Sequence, residues 1–375
     1  MNEHKPILMI TGPMPLHPDV LASISTQMIN HRGDKFKQIF SETVTLAKNV
    51  FKTNNDVLIL PCSGTGGLEA VVSNFMSPGD HVILGLNGFF GDCFSNIMKA
   101  YGIEPIRIAV EWGKPILVKD VVETLTQYPR VNAVVIIHNE TSTGVISNIA
   151  KIAKAVKAIN PNILMIVDAI SSLGGTEVKT DEWGLDVVVS ASQKALMAPP
   201  GLCLMTVSET AWEVSKSSSL PKYYFDLHKI KQEGLQGMTF VTPPIPIVFG
   251  LKRALELLLK TGLETVFQKN IMMRNMILQA IQPIDLTLVA DKEYASPTMS
   301  ALRLPRGISS QKFRDHIEAK YSVVLASGLG ILSQDCFRIG HMGDITLNNI
   351  NETITALEKS LKYFQEFGNL KYNYL

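Results

Sequence analysis

The chain predicts an α/β protein: a mostly parallel sheet covered by helices on both faces, followed by a smaller α+β unit. Two observations carry this. Seven short β-branched runs, at residues 56–60, 80–84, 105–110, 133–137, 163–167, 186–189 and 202–207, end in turn residues, and helical patterns lie between several of them. In the clearest helix, Ile149, Ile152, Ala153 and Val156 repeat at spacings of three and four. Strands alternating with helices build parallel sheets buried on both sides, and ligands bind such sheets at the carboxyl ends of the strands. The alternation then stops at Thr242-Pro243-Pro244-Ile245-Pro246. A long helical segment follows over about 249–281, interrupted near Gly262. Beyond it, 302–304 and 336–339 read as strands, 312–319 as a helix, and Leu347, Ile350, Ile354, Leu357 and Leu361 as one face of a last helix.

Composition narrows the partners. Among 375 residues, Lys and Arg number 35 against 34 Asp and Glu, so the net charge of +1 gives no reason to expect nucleic acid or an anionic membrane. The four cysteines (Cys62, Cys93, Cys203, Cys336) are scattered without a CxxC pair, which favours reduced thiols over a disulfide framework or a metal site. The first residues lack a signal-peptide pattern, and no apolar stretch is long enough to cross a bilayer. The expectation is a soluble, cytoplasmic protein.

Three strand ends carry the chemistry. The apolar run 186–189 leads into Ser190-Ala191-Ser192-Gln193-Lys194-Ala195-Leu196, so Lys194 stands among apolar neighbours. Desolvation there lowers its pKa and makes it a nucleophilic amine. The run 163–167 ends in Asp168, and 56–60 leads into Ser63-Gly64-Thr65-Gly66-Gly67. That glycine-rich turn opens a helix whose free N–H groups suit an anion. It is neither a Walker loop nor a dinucleotide fingerprint. An amine for an imine, a carboxylate for a ring nitrogen and a phosphate cradle together are what pyridoxal phosphate requires. Each has a plainer alternative: a surface lysine, a turn aspartate, a tight strand–helix turn. Arg338, among apolar residues at a late strand, suits an α-carboxylate, or otherwise a structural ion pair. Phe90 could stack on a pyridine ring or simply fill the core. His31, His138 and His341 share no metal spacing and read as structural.

These motifs resemble the class V aminotransferases of pyridoxal-phosphate fold type I, in particular alanine–glyoxylate and serine–pyruvate aminotransferases. The resemblance runs from Ile10-Thr11-Gly12-Pro13 through Ser63-Gly64-Thr65-Gly66, Asn87-Gly88-Phe89-Phe90-Gly91 and Glu140-Thr141-Ser142-Thr143-Gly144. It continues through Val167-Asp168-Ala169-Ile170 and Ser192-Gln193-Lys194 to Phe337-Arg338-Ile339-Gly340-His341. It implies an aspartate aminotransferase-like fold with a seven-stranded large-domain sheet, divided as an N-terminal arm (1–16), a cofactor-binding domain (17–265) and a small C-terminal domain (266–375).

It also implies site roles. Lys194 would form the Schiff base and shuttle the proton, and Asp168 would bond the pyridine nitrogen. Ser63, Gly64 and Thr65 would surround the phosphate. Phe90 and Ile170 would cover the two ring faces, and Thr141 and Gln193 would contact the ring edge or the phosphate. Arg338 would take the substrate carboxylate, and Thr242 would reach a neighbour's phosphate across a homodimer interface. Phe90 and Phe240 stand where relatives often carry Trp and Tyr. The expected reaction moves an amino group from an alanine- or serine-type donor to glyoxylate or pyruvate. The alternatives are a lyase or desulfurase using Cys336 and, further off, a non-catalytic cofactor-binding protein.

Overall fold

The structure is a computed structural model, and it describes residues 6–367. Seven strands form the large sheet in the order Asp56–Leu60, Cys203–Val207, Val187–Ala191, Leu164–Asp168, Val131–Ile137, His81–Leu86, Ile106–Ala109. All seven lie where the β-branched runs predict them, within a few residues. Cys203–Val207 is antiparallel to both its neighbours and the other pairings are parallel.

Both faces are covered, which is why the central strands are apolar throughout. Alternate side chains enter different cores: Val57, Ile59, Met165 and Val167 on one face, Leu58, Leu60, Leu164 and Ile166 on the other. The first face packs on helices Asp34–Phe51, Val118–Gln127, Ile149–Ile159 and Ile245–Thr261; the second on Gly64–Phe75, Phe89–Ala100 and Glu209–Ser215.

The last part of the chain builds a five-stranded sheet in the order Ile7–Met9, Val323–Ser327, Cys336–Gly340, Met299–Arg303, Thr287–Leu288. Its core gathers Met273 and Ile277, Phe313 and Ile317, and Leu357 and Leu361 from three helices. Gly262, in the left-handed region at φ 87, separates helix Ile245–Thr261 from Leu263–Ala280, where the sequence places a break. Ile7–Met9 pairs in parallel with Val323, Val324 and Leu325 of its own chain, and Met9 is fully buried. A short apolar strand needs only a free sheet edge, and this chain supplies one. Among the described residues no helix is long and apolar enough to cross a membrane.

The first turn of helix Gly64–Phe75 packs directly on the sheet. A Cβ on Gly67 would lie 2.2 Å from Cys203 Sγ and 2.9 Å from Val189 Cγ1. Gly67→Ala is therefore expected to destabilise the fold by about 1–3 kcal/mol through overpacking, read as a lower urea midpoint. Adding Cys203→Ala, which vacates the contested space, should recover part of that loss. No recovery would place the strain elsewhere.

Candidate active site

Register sets the site. Asp168 is the last residue of its strand and lies opposite Ile137 on one side and Val189 on the other. Two strands thus end at one level and the third runs two residues further, to Ala191; a cleft of about 740 Å³, partly open to solvent, lies beyond them. Ser63, Gly64, Thr65, Phe90, Thr141, Asp168, Ile170, Gln193 and Lys194 all line it. Nine residues singled out from the sequence therefore converge from five segments.

Two do not line it. Thr242 is exposed, on the loop before helix Ile245–Thr261. Arg338 adjoins the cleft from the smaller sheet. Phe337 and Ile339 turn into that sheet's core, so strand alternation sends Arg338 the other way. Its Nη1 donates to Thr141 O at 3.1 Å and its Nε to Ser327 O at 2.7 Å. It is only 7% exposed. No carboxylate among the described residues pairs with it, so the structural ion pair that was the alternative is not formed. Burial pulls its pKa down to about 10, against the opposing influence of Glu140.

The charges at the floor are likewise desolvated. Burial pushes Asp168 up to about 7, although Ile170 N donates to its Oδ1 at 2.8 Å and Lys194 lies near; the Glu140 charge raises it further. Burial, then the positive charge of Arg338, bring Lys194 down to about 8, with Asp168 acting the other way. Lys194 Nζ donates to Thr11 O at 2.7 Å. Gly12 beside it, at φ +108, is a glycine for two reasons: the conformation, and a Cβ that would stand 2.6 Å from Lys194 Cδ.

The opposite wall fits an aromatic phosphate. Ser63 caps helix Gly64–Phe75, its side chain accepting from Gly66 N at 3.4 Å. The helix start points its unpaired N–H groups at the cleft. Glycine at 64 lets Ile170 close on the helix, since a Cβ there would lie 2.5 Å from Ile170 Cδ1. Gln193 Oε1 and Asn139 Oδ1 are buried at the wall without hydrogen-bond partners. An anion cradle, a carboxylate, an amine, an aromatic side chain and unpaired polar atoms together match the chemistry of pyridoxal phosphate.

The chain also matches known proteins. The family described as aminotransferase class V covers residues 19–333. The chain belongs to the class V aminotransferases. It is a pyridoxal-phosphate-dependent transaminase of fold type I. A protein named soluble hydrogenase, small subunit, from Synechococcus sp. (strain PCC 6716) is 41% identical, covering 96% of this chain and 94% of that one. The L-aspartate–glyoxylate aminotransferase of Paracoccus denitrificans is 32% identical over 92% of this chain and 88% of its own length. The crystal structure of alanine–glyoxylate aminotransferase from Nostoc sp. superposes with a TM-score of 0.91 at 27% identity, covering 96% of each chain. Among the described residues no group of three or more His, Cys, Asp or Glu is placed to hold a metal ion.

Within this transaminase, several residues at the cleft went unassigned by sequence reasoning: Thr11, Gly12, Cys93, Ile97, Asn139, Glu140 and Ser171. Glu140 and Gly12 fall within quoted motifs, but what a buried carboxylate accepts from, or what a missing Cβ admits, is set by distant segments. His138 and His341 are buried and bonded to serine hydroxyls. His138 Nδ1 meets Ser172 Oγ at 3.0 Å, and burial takes its pKa down to about 4. His341 Nε2 meets Ser300 Oγ at 3.0 Å.

The desolvation of Asp168 has a measurable sign. In the cofactor-free protein its folded pKa, about 7, exceeds the unfolded value near 3.8. Between those values the unfolded chain releases a proton that the folded chain keeps, so stability falls as pH rises through the window. Asp168→Asn keeps the acceptor for Ile170 N and removes this penalty. The cofactor-free variant should be more stable than its parent at pH 8, by an amount on the order of a few kcal/mol, and the gain should shrink towards pH 5. Urea denaturation at both pH values tests this; a gain independent of pH would disprove it.

Proposed function

We propose that this aminotransferase moves the amino group of a small, uncharged amino acid of the alanine or serine type to a short 2-oxo acid of the glyoxylate or pyruvate type. The observation that carries the proposal is Arg338: a buried guanidinium held by two backbone carbonyls, without a carboxylate partner, beside Lys194. Such a group recognises the α-carboxylate common to both substrates. The rest of the cleft favours small donors. Beyond Lys194 no cation among the described residues lines it, and its lining includes Ile97, Cys93 and Phe90. A side-chain carboxylate would be desolvated there without a partner. The names of relatives, acting between aspartate or alanine and glyoxylate, agree on the acceptor and differ on the donor.

Each residue has a role in this reading. Ser63, Gly64 and Thr65 would hold the phosphate, Phe90 and Ile170 the ring faces, and Thr141 and Gln193 the ring edge or phosphate. Bound pyridoxal phosphate supplies an electron sink for the charge left at the donor's Cα. Asp168 would keep a proton at the pyridine nitrogen. Lys194 Nζ, brought down to about 8, would take the Cα proton and return it, and a positioned base of this kind contributes roughly 10²–10⁴-fold.

Cys336, the nucleophile the desulfurase reading would use, is badly placed for it. Cys336 is buried at the first position of strand Cys336–Gly340, its Sγ 3.4 Å from Asp335 Oδ1, and burial together with that carboxylate pushes its pKa up to about 12. A thiol so placed is neither mobile nor ionised.

The proposed active unit is a homodimer, with residues 17–265 and 266–375 as its two domains. Thr242 is exposed and does not line its own cleft, and two residues before it the ring of Phe240 meets edge-on that of Tyr223, which is 74% exposed. Exposed aromatic surface of this kind suits an interface that would carry Thr242 to the partner's phosphate.

Arg338→Lys should raise the KM for L-alanine roughly tenfold to a hundredfold, because one ammonium cannot replace a two-pronged contact, with little change in cofactor affinity. An unchanged KM, or a parent enzyme that prefers L-aspartate over L-alanine and L-serine with glyoxylate, would overturn the reading. For the dimer, Lys194→Ala and a variant disabled only at Thr242 should regain activity when unfolded and refolded together, since a hybrid then has one intact site. Hybrids without activity would refute shared sites.

A further inference from the structure

Glu140 is a fully buried carboxylate at the meeting point of three parts of the site. Its Oε2 accepts from Phe90 N at 3.0 Å and from Gly91 N at 3.3 Å; its Oε1 accepts from Ser142 N at 2.9 Å and Ser142 Oγ at 2.7 Å. Ser142 Oγ in turn accepts from Phe89 N at 3.0 Å. Helix Phe89–Ala100 begins at Gly88, which has no side chain to cap it. The first three N–H groups of that helix are thus held by Glu140 and Ser142, a cap delivered from fifty residues away. Glycine at 88 admits them, since a Cβ there would lie 2.4 Å from both Glu140 Cγ and Ser142 Oγ. Four donors converge on two carboxylate oxygens, which suits the ionised form, at a helix N-terminus that favours negative charge. Burial raises the pKa of Glu140, and the four donors oppose that rise.

What Glu140 fixes is functional. Phe90, on the first turn of the helix, is the cleft's aromatic wall. Thr141, the next residue in the chain, offers the carbonyl that holds Arg338 Nη1. The Glu140 charge also favours the charged form of Arg338. Yet its own oxygens are occupied, so it offers a counter-charge without closing on the guanidinium. A direct ion pair would block the fork; no anion at all would leave a buried cation uncompensated.

We propose that Glu140 is a positioning residue of the transaminase: one buried anion that places Phe90 and Thr141 together and keeps Arg338 charged and free to bind the substrate carboxylate. The part concerning Arg338 rests on the role proposed for it above.

The test separates the two. Binding of propionate, a carboxylate without an amine, is measured calorimetrically on the holoenzyme of the parent, Glu140→Gln, Arg338→Gln and the double variant. Cofactor affinity and the visible circular dichroism of the bound cofactor are recorded in each. Glu140→Gln removes the charge and turns an amide towards backbone donors. It should weaken propionate about tenfold, as expected for losing support of a charged hydrogen bond, and change the dichroism as Phe90 shifts. In the Arg338→Gln background the same change should alter propionate binding less than twofold, because its route is already cut. The KM for L-alanine should rise more than kcat falls. If Glu140→Gln does not fold, Ser142→Ala, which keeps the charge and removes one donor, should weaken propionate by about threefold. If Arg338→Gln binds propionate as the parent does, the carboxylate role of Arg338 fails. If Arg338→Gln loses binding while Glu140→Gln, or Ser142→Ala in its place, leaves both propionate affinity and dichroism unchanged, the role of Glu140 fails.

Discussion

Four ionisable groups, Asp168, Lys194, Arg338 and Glu140, are withdrawn from water around one cleft, and the arrangement of the site follows from what their desolvation requires. None forms a close ion pair with another. Asp168 is held by a backbone N–H, Lys194 by a carbonyl, Arg338 by two carbonyls and Glu140 by three N–H groups and a hydroxyl. Backbone dipoles supply the solvation that water would otherwise give. Mutual pairing would stabilise the empty protein more, but it would spend the groups on one another. Held by the main chain, the amine, one carboxylate and the guanidinium stay open to ligands, at a cost in stability that ligand binding offsets.

Main-chain solvation of that kind demands that loops from several places in the sequence end at one level. The sheet supplies this. Because Ile137, Asp168 and Val189 share a register line, the turns that follow them, 138–144, 169–172 and 192–198, emerge side by side. Cys203–Val207, antiparallel to both its neighbours in the large sheet, sits between Val187–Ala191 and Asp56–Leu60. It returns the chain so that the glycine turn after Leu60 stands on the same side as Lys194. A slip of two residues in either pairing would carry Asp168 or Lys194 about 7 Å along the strand and dismantle the site.

What could be read in advance divides along the same line. Strands buried on both faces announce themselves by continuous β-branched runs, so all seven were legible, and with them the residues at their ends. Arg338 was legible because an arginine among Phe337, Ile339 and Gly340 contradicts its strand's pattern. The short hairpin Asn139–Glu140 with Val145–Ile146 was not, since strands of two residues have no periodicity. Helix Asp34–Phe51 was legible in principle, since Phe36, Phe40, Ala47 and Phe51 fall on one face among charged residues, but it precedes the strand–helix alternation that announces the sheet. Glu140 and Gly88 were quoted as parts of motifs without a role. Their fit depends on two segments about fifty residues apart meeting within 3 Å, and composition carries no trace of that. The exposure of Thr242 could not be foreseen either, because a threonine before a proline pair carries no sign of which surface it will occupy.

The stretch after Ile7–Met9 shows how the two sheets are joined at the point where chemistry is proposed. Ile7–Met9 extends the smaller sheet, whose third strand carries Arg338. Within five residues the same segment gives Thr11 O to Lys194 Nζ and Met14 N to Gln193 O at 3.0 Å. Gly340 lets it cross, because a Cβ there would meet Ile10 O at 2.0 Å. One short segment therefore touches the strand bearing the guanidinium and the turn bearing the amine. Both contacts bear on the turn that carries the lysine, and Gly12, where a Cβ would stand 2.8 Å from Lys194 Nζ, keeps the space beside the amine clear.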